Sequence, residues 1–147
     1  MPRVVRSADV VWEGNVARGT GAISAGSGAF SAFPFSLATR VGQPDGHTSP
    51  EELLAAAHAG CFAMSVAGEL TGRETPPERL TVTAAVTLDE VPGQGHRIVR
   101  SDVTATGVVP GLTQETFAEV VRAADEGCTF SALIRASGEV VVEARLD

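Results

Sequence analysis

The sequence predicts an α+β protein, and three observations carry that expectation. Alternating, Val/Thr-rich segments stand at both ends of the 147-residue chain, an almost wholly apolar helix interrupts them, and a second helical stretch follows a hairpin. The order strands, helix, hairpin, helices, strand fits one α+β domain spanning residues 1–147.

The first strands are expected at Arg3–Trp12, Val16–Ala25 and Ala29–Leu37, broken by EGN and GSG. At SPEE, Ser49 suits the N-cap, Pro50 the first helical position and Glu52 the third, which completes a capping box. This helix is expected to end near Thr71–Gly72, before TPPE. The stretch LTVTAAVTL alternates, with Leu80, Val82, Ala84, Val86 and Leu88 on one face and threonines opposite. VPGQGH then turns the chain into a partner strand near Arg97–Val109. A helix from about Thr113 to Glu126 puts Phe117, Val120, Val121 and Ala124 on one side. Gly127 stops it, and CTFSALIRA reads as a short third helix with Cys128 at its start. GEVVVEARL is the last strand.

Composition removes several function classes. The formal charge is −7, and no basic run offers a surface for nucleic acid or an anionic membrane. All eleven basic residues are arginine, and there is no lysine and no tyrosine. A Schiff-base lysine, a phosphate-loop lysine and a tyrosine acid are therefore excluded. The N-terminal MPRVVRSADVVW shows no export signal. The longest apolar run, Leu53–Ala67, holds His58, is flanked by Glu51, Glu52 and Glu69, and falls short of the roughly 20 residues of a membrane span. The expected setting is the cytoplasm, where two cysteines are more often catalytic or metal-binding than structural.

The Leu53–Ala67 stretch is apolar or small all round, so it is expected to be buried on every side. One small sheet covers one side only, and a homodimer is the economical source of the rest. Cys61 lies in this helix and also reads as a small core residue. Cys128, at a helix start, lies where free N–H groups and the helix dipole favour a thiolate. His58 and Cys61 form one His-x-x-Cys, too sparse for structural zinc, so His58 is expected to be a core or solvent-facing histidine. Redox chemistry accounts for the pair with fewer assumptions. A thiolate attacks a peroxide and becomes a sulfenic acid, a second thiol condenses with it, and an arginine holds the charge.

TSPEELLAAAHAGCF resembles the signature of the OsmC/Ohr family of organic hydroperoxide reductases, in particular its OsmC branch, where a histidine precedes the cysteine by three residues. WEGNVARGTG, ATR, VPGLTQETF and ADEGC extend the resemblance along nearly the whole chain. It implies an OsmC-like fold, with antiparallel sheets packed around central helices in an intertwined homodimer and active sites at the interface. It also implies that Cys61 is the peroxidatic cysteine, Cys128 the resolving one, Arg40 the arginine that holds thiolate and peroxide, and Glu51 the carboxylate that orients it. Arg18 is a second candidate for Arg40's role. Glu51 precedes Cys61 by ten residues, roughly 15 Å along a straight helix. So either the chain bends, or Glu51 serves the cysteine of a second subunit.

One departure stands out. The family's second cysteine is commonly followed by proline, valine and serine, whereas here the run is Cys128, Thr129, Phe130, Ser131. The expected activity is thiol-dependent reduction of an organic hydroperoxide, with a dihydrolipoyl-type dithiol as reductant and no cofactor or metal. Leu54, Ala57, Phe62 and Met64 are expected to make the surroundings of Cys61 apolar. The rival readings are a redox sensor that forms the same disulfide without turnover, and a small-ligand binding protein.

Overall fold

The computed structural model describes residues 2–147. It is α+β, with two three-stranded sheets and four helices, and it falls into two compact units, residues up to Pro50 and residues from Glu51.

The first unit is an antiparallel sheet of β1 (Ala8–Glu13), β2 (Thr20–Ala25) and β3 (Phe33–Phe35), in that order, followed by the short helix α1 (Leu37–Val41). The strands are shorter than their apolar patterns predicted. Ala32 takes a positive φ of 55° just before β3, and Pro34 lacks an N–H for the ladder, which together trim the third strand. Gly21, paired with Trp12 and Phe35, is required in β2. A Cβ there would stand 2.3 Å from the Phe35 ring and 2.8 Å from that of Trp12, and the two rings lie 5.5 Å apart over the gap. The sequence left residues 38–48 as a loop. The structure instead starts a helix at Ser36, whose hydroxyl accepts from the Thr39 N–H while the Thr39 hydroxyl accepts from the Ser36 N–H.

α2 (Pro50–Gly72), unbroken for 23 residues, lies in the second unit from Glu51 onward. β4 (Arg79–Val91) and β5 (Gly95–Val108) form the expected hairpin, with a bulge at Thr87–Leu88. The chain then passes through α3 (Gln114–Gly127) and α4 (Thr129–Arg135) before β6 (Glu139–Leu146). β6 runs parallel to β5 at the edge of the sheet, order β4-β5-β6. This corrects the expectation of purely antiparallel sheets. A helical crossover carries the chain back to the end where β5 began, so the returning strand shares its direction.

α3 buries the stripe read from its spacing: Phe117, Val120, Val121 and Ala124. They join Val103 and Ala105 of β5, and Phe62, Val66 and Leu70 of α2, in one core cluster that also takes in Cys128. Leu80, Val82 and Ala84 of β4 pack against it, as their shared face predicted. α2 meets one expectation and departs from another. Within one chain it buries one stripe, His58, Phe62, Val66 and Leu70, and Met64 is 78% exposed, the one-sided cover expected of a single subunit. It is also, with mean hydropathy 1.4 over its apolar window, long and apolar enough by length and composition to cross a membrane. The uninterrupted apolar run Leu53–Ala67 is shorter than a membrane span, but the 18-residue window over which that hydropathy holds also takes in polar and charged positions of the full Pro50–Gly72 helix.

Candidate active site

The centre of α2 carries Cys61, and the single residue joining α3 to α4 is Cys128. Both are free thiols, and the Cys128 Sγ lies 3.5 Å from the Cys61 Sγ. Cys128 is 1% exposed, while Cys61 is partly exposed. A disulfide needs sulfurs about 2.05 Å apart, so the pair requires only a small closing movement. The position of Cys128 follows from its backbone. Its N–H donates to the Asp125 carbonyl at 3.2 Å and its carbonyl accepts from Ala132 at 3.1 Å, so one residue ends one helix and starts the next. Its sulfur caps no backbone N–H of α4, contrary to what a cysteine at a helix start suggests. The sulfur meets Cys61 instead. Phe130, flagged as a family departure, packs against the core cluster.

One turn before Cys61, His58 is fully buried and both ring nitrogens are engaged. Nδ1 lies 2.8 Å from Ser101 Oγ on β5, and Nε2 lies 2.9 Å from Ser131 Oγ on α4. This makes it a core histidine, the first of the two roles expected for it. Burial pushes its pKa below the usual 6.5. Asp125 partly offsets that shift, and Arg135 adds to it. Asp125 and Arg135 themselves pair at 2.5 Å between Oδ2 and Nη2, which ties α3 to α4. Ser101 and Ser131 were missed from the sequence. Ser101 stands 43 residues from His58 and Ser131 stands 73, and no local pattern links serines across such distances. The one available signal was that Ser101 alternates in step with Val103 and Ala105.

The remaining predicted residues lie elsewhere. Glu51 is in the first turn of α2, ten residues before Cys61 on an unbroken helix, roughly 15 Å away along it. The alternative that the chain bends between them is therefore removed. Arg40 belongs to the first unit, in the last turn of α1, where it lines an apolar cleft of about 230 Å³ with Trp12, Val16, Phe35, Ser36 and Leu37. Arg18 sits in the turn after β1, its N–H donating to Asn15 Oδ1 at 2.9 Å. Of the residues expected around Cys61, Phe62 turns into the core and Met64 faces outward. Leu54 lines a separate cleft with Ile98, Leu133, Ile134 and Ser137.

Comparison with known proteins gives a consistent relationship. The family described as OsmC-like protein matches residues 42–143. Peroxiredoxin OsmC of Escherichia coli (strain K12) is 36% identical over 125 residues, covering 85% of this chain and 86% of the relative. Among solved structures, the organic hydroperoxide resistance protein OhrB of Bacillus subtilis is 26% identical, with a TM-score of 0.67 over 96% of this chain and 98% of its own. The organic hydroperoxide resistance protein OsmC of Legionella pneumophila, at 22% identity, shares the fold with a TM-score of 0.70 over 97% of this chain and 99% of its own. With a matching family over two thirds of its length and a curated relative at this identity and coverage, the chain belongs to the OsmC-like family.

Proposed function

We propose that this protein is a thiol-dependent peroxidase that reduces organic hydroperoxides to alcohols. The observation that carries the reading is the 3.5 Å approach of Cys61 and Cys128, two thiols 67 residues apart in the chain. A resolving cysteine must reach the cysteine it resolves, which this approach allows with little movement, and similarity to a peroxiredoxin supports the same chemistry.

The Cys61 thiolate attacks the outer oxygen of the hydroperoxide. The O–O bond breaks, its electron pair leaves with the inner oxygen as an alkoxide that is protonated to the alcohol, and Cys61 becomes a sulfenic acid. The Cys128 thiol then attacks the Cys61 sulfur. The S–O bond breaks, water leaves, and a disulfide forms. An external dithiol of the dihydrolipoyl type returns both thiols by exchange and is itself oxidised to a disulfide. In this scheme Arg40 holds thiolate and peroxide by its permanent charge, and Glu51 orients that arginine from a second copy of the chain. Similarity to the organic hydroperoxide resistance protein OhrB of Bacillus subtilis supports organic hydroperoxides as the substrates.

The test is consumption of cumene hydroperoxide with excess dihydrolipoamide, for the native protein and Cys61→Ser. Many turnovers by the native protein and none by the mutant are expected. One equivalent consumed without recycling makes the pair a redox sensor instead. Equal activity in Cys61→Ser removes the thiol from the chemistry altogether.

A further inference from the structure

His58 is buried between two serines yet has no part in the scheme above. With both ring nitrogens engaged by hydroxyls, it is not placed to take the Cys61 proton. Its position relative to the thiols is nevertheless regular. His58 and Cys61 are three residues apart on α2, and Cys128 and Ser131 are three apart at the start of α4, so each pair lies on one helix face. The two helices therefore meet at two adjacent rungs. One is Cys61 Sγ to Cys128 Sγ at 3.5 Å, and the other is His58 Nε2 to Ser131 Oγ at 2.9 Å.

We propose that the His58–Ser131 hydrogen bond is a positioning link that holds Cys128 against Cys61 for disulfide closure. This rests on the reading that the two thiols cycle. α4 has only seven residues, too few to be stable by itself, so its start must be located by contacts to the rest of the chain. Toward its end, Arg135 pairs with Asp125 and Ile134 is buried. At its first turn the polar contact is Ser131, which is 0% exposed, as is His58, so water does not compete for the bond. His58 is in turn fixed to the sheet through Ser101 at 2.8 Å. A line of hydrogen bonds thus runs from β5 through α2 to the helix that carries the second thiol. The link fixes one turn of α4 and leaves the Cys128 side chain to make the short closing movement.

The test measures closure without peroxide. The full-length protein is equilibrated with mixtures of reduced and oxidised glutathione, and the equilibrium constant for the Cys61–Cys128 disulfide is read for native protein, Ser131→Ala, Ser101→Ala, His58→Gln and His58→Asn. The Gln amide nitrogen reaches the Nε2 position and preserves the bond to Ser131, whereas Asn reaches only the Nδ1 position. Ser131→Ala and His58→Asn are expected to lower the constant about tenfold, the effect of one buried hydrogen bond. His58→Gln is expected to stay near native. Ser101→Ala, which also loses a buried hydrogen bond but leaves the bond to α4, is expected to stay near native as well.

A native constant in Ser131→Ala overturns the proposal. So does an equal fall in Ser101→Ala, which marks a general loss of stability. If Ser131→Ala does not fold, the Gln and Asn variants decide the matter on the same terms. Because no hydroperoxide is used, failure of the peroxidase reading leaves this outcome intact. Conversely, a native protein that turns over cumene hydroperoxide while Ser131→Ala keeps its constant isolates the failure to the link.

Discussion

His58 sits buried one turn before the partly exposed Cys61 on α2, and its burial carries a measurable consequence. Burial lowers the pKa of His58, so the unfolded chain takes up a proton before the folded one does as pH falls. The stability supplied by the neutral imidazole is therefore fully present above about 6.5 and is lost as pH drops from there toward the depressed native value. The groups facing this histidine are Asp125 of α3, which opposes the shift, and Arg135 of α4, which reinforces it. Urea unfolding at about pH 7.5 and pH 5 should show the native protein losing stability, and His58→Gln should lose less. An identical loss in both assigns the acid sensitivity to other groups. Arg40 makes a second residue-scale prediction. Arg40→Gln should lower kcat/KM for cumene hydroperoxide by about a hundredfold, as removal of one charged donor from a reacting oxygen does, with Arg18→Gln within about threefold of native. The reverse pattern transfers the role to Arg18.

The elements are held together at points where a small residue meets a large one. Gly107 on β5 lies under the ring of Phe117 from α3, and a Cβ at Gly107 would stand 2.7 Å from that ring. Phe117 is fully buried and cannot move aside cheaply. Gly107→Ala should cost about 1–3 kcal/mol and lower Tm by several degrees. An unchanged Tm would mean that α3 shifts freely on the sheet. α3 itself was legible in the sequence because its 3.6-residue stripe is a local feature; the structure shows Thr113 as its cap, the hydroxyl accepting from the Thr116 N–H at 3.2 Å. The direction of β6 was not legible. Its alternation reveals which face is buried, but whether it runs with or against β5 depends on how α3 and α4 return the chain.

At the scale of the whole molecule, α2 leaves apolar surface uncovered within one chain. Met64 is 78% exposed, and in the first unit Val10 and Val11 of β1 are 55% and 64% exposed. Leaving so much apolar side-chain surface in water is unfavourable, and the second copy of the chain in the proposed scheme offers cover for it. Sedimentation should give twice the 15.1 kDa of one chain, and Met64→Glu should shift the population toward monomer. A native protein that sediments as a monomer removes the second subunit, and with it the assignment of Glu51 to a neighbouring cysteine.

By itself the sequence determined that the protein is α+β, and it placed the second-unit helices and strands to within a few residues at their ends. Helix caps, strand alternation and the TSPEELLAAAHAGCF motif are all written within a few residues of one another. The α1 helix escaped because its cap is a Ser/Thr pair, Ser36 and Thr39, rather than the Ser/Glu pair that signals α2. Only the tertiary structure decided that the thiols stand 3.5 Å apart, that Ser101 and Ser131 close on His58, and that β6 is parallel. Those facts depend on contacts between residues 39 to 73 positions apart. Such contacts form only when a shared hydrophobic core outweighs the chain entropy of bringing distant segments together, and no local pattern records them.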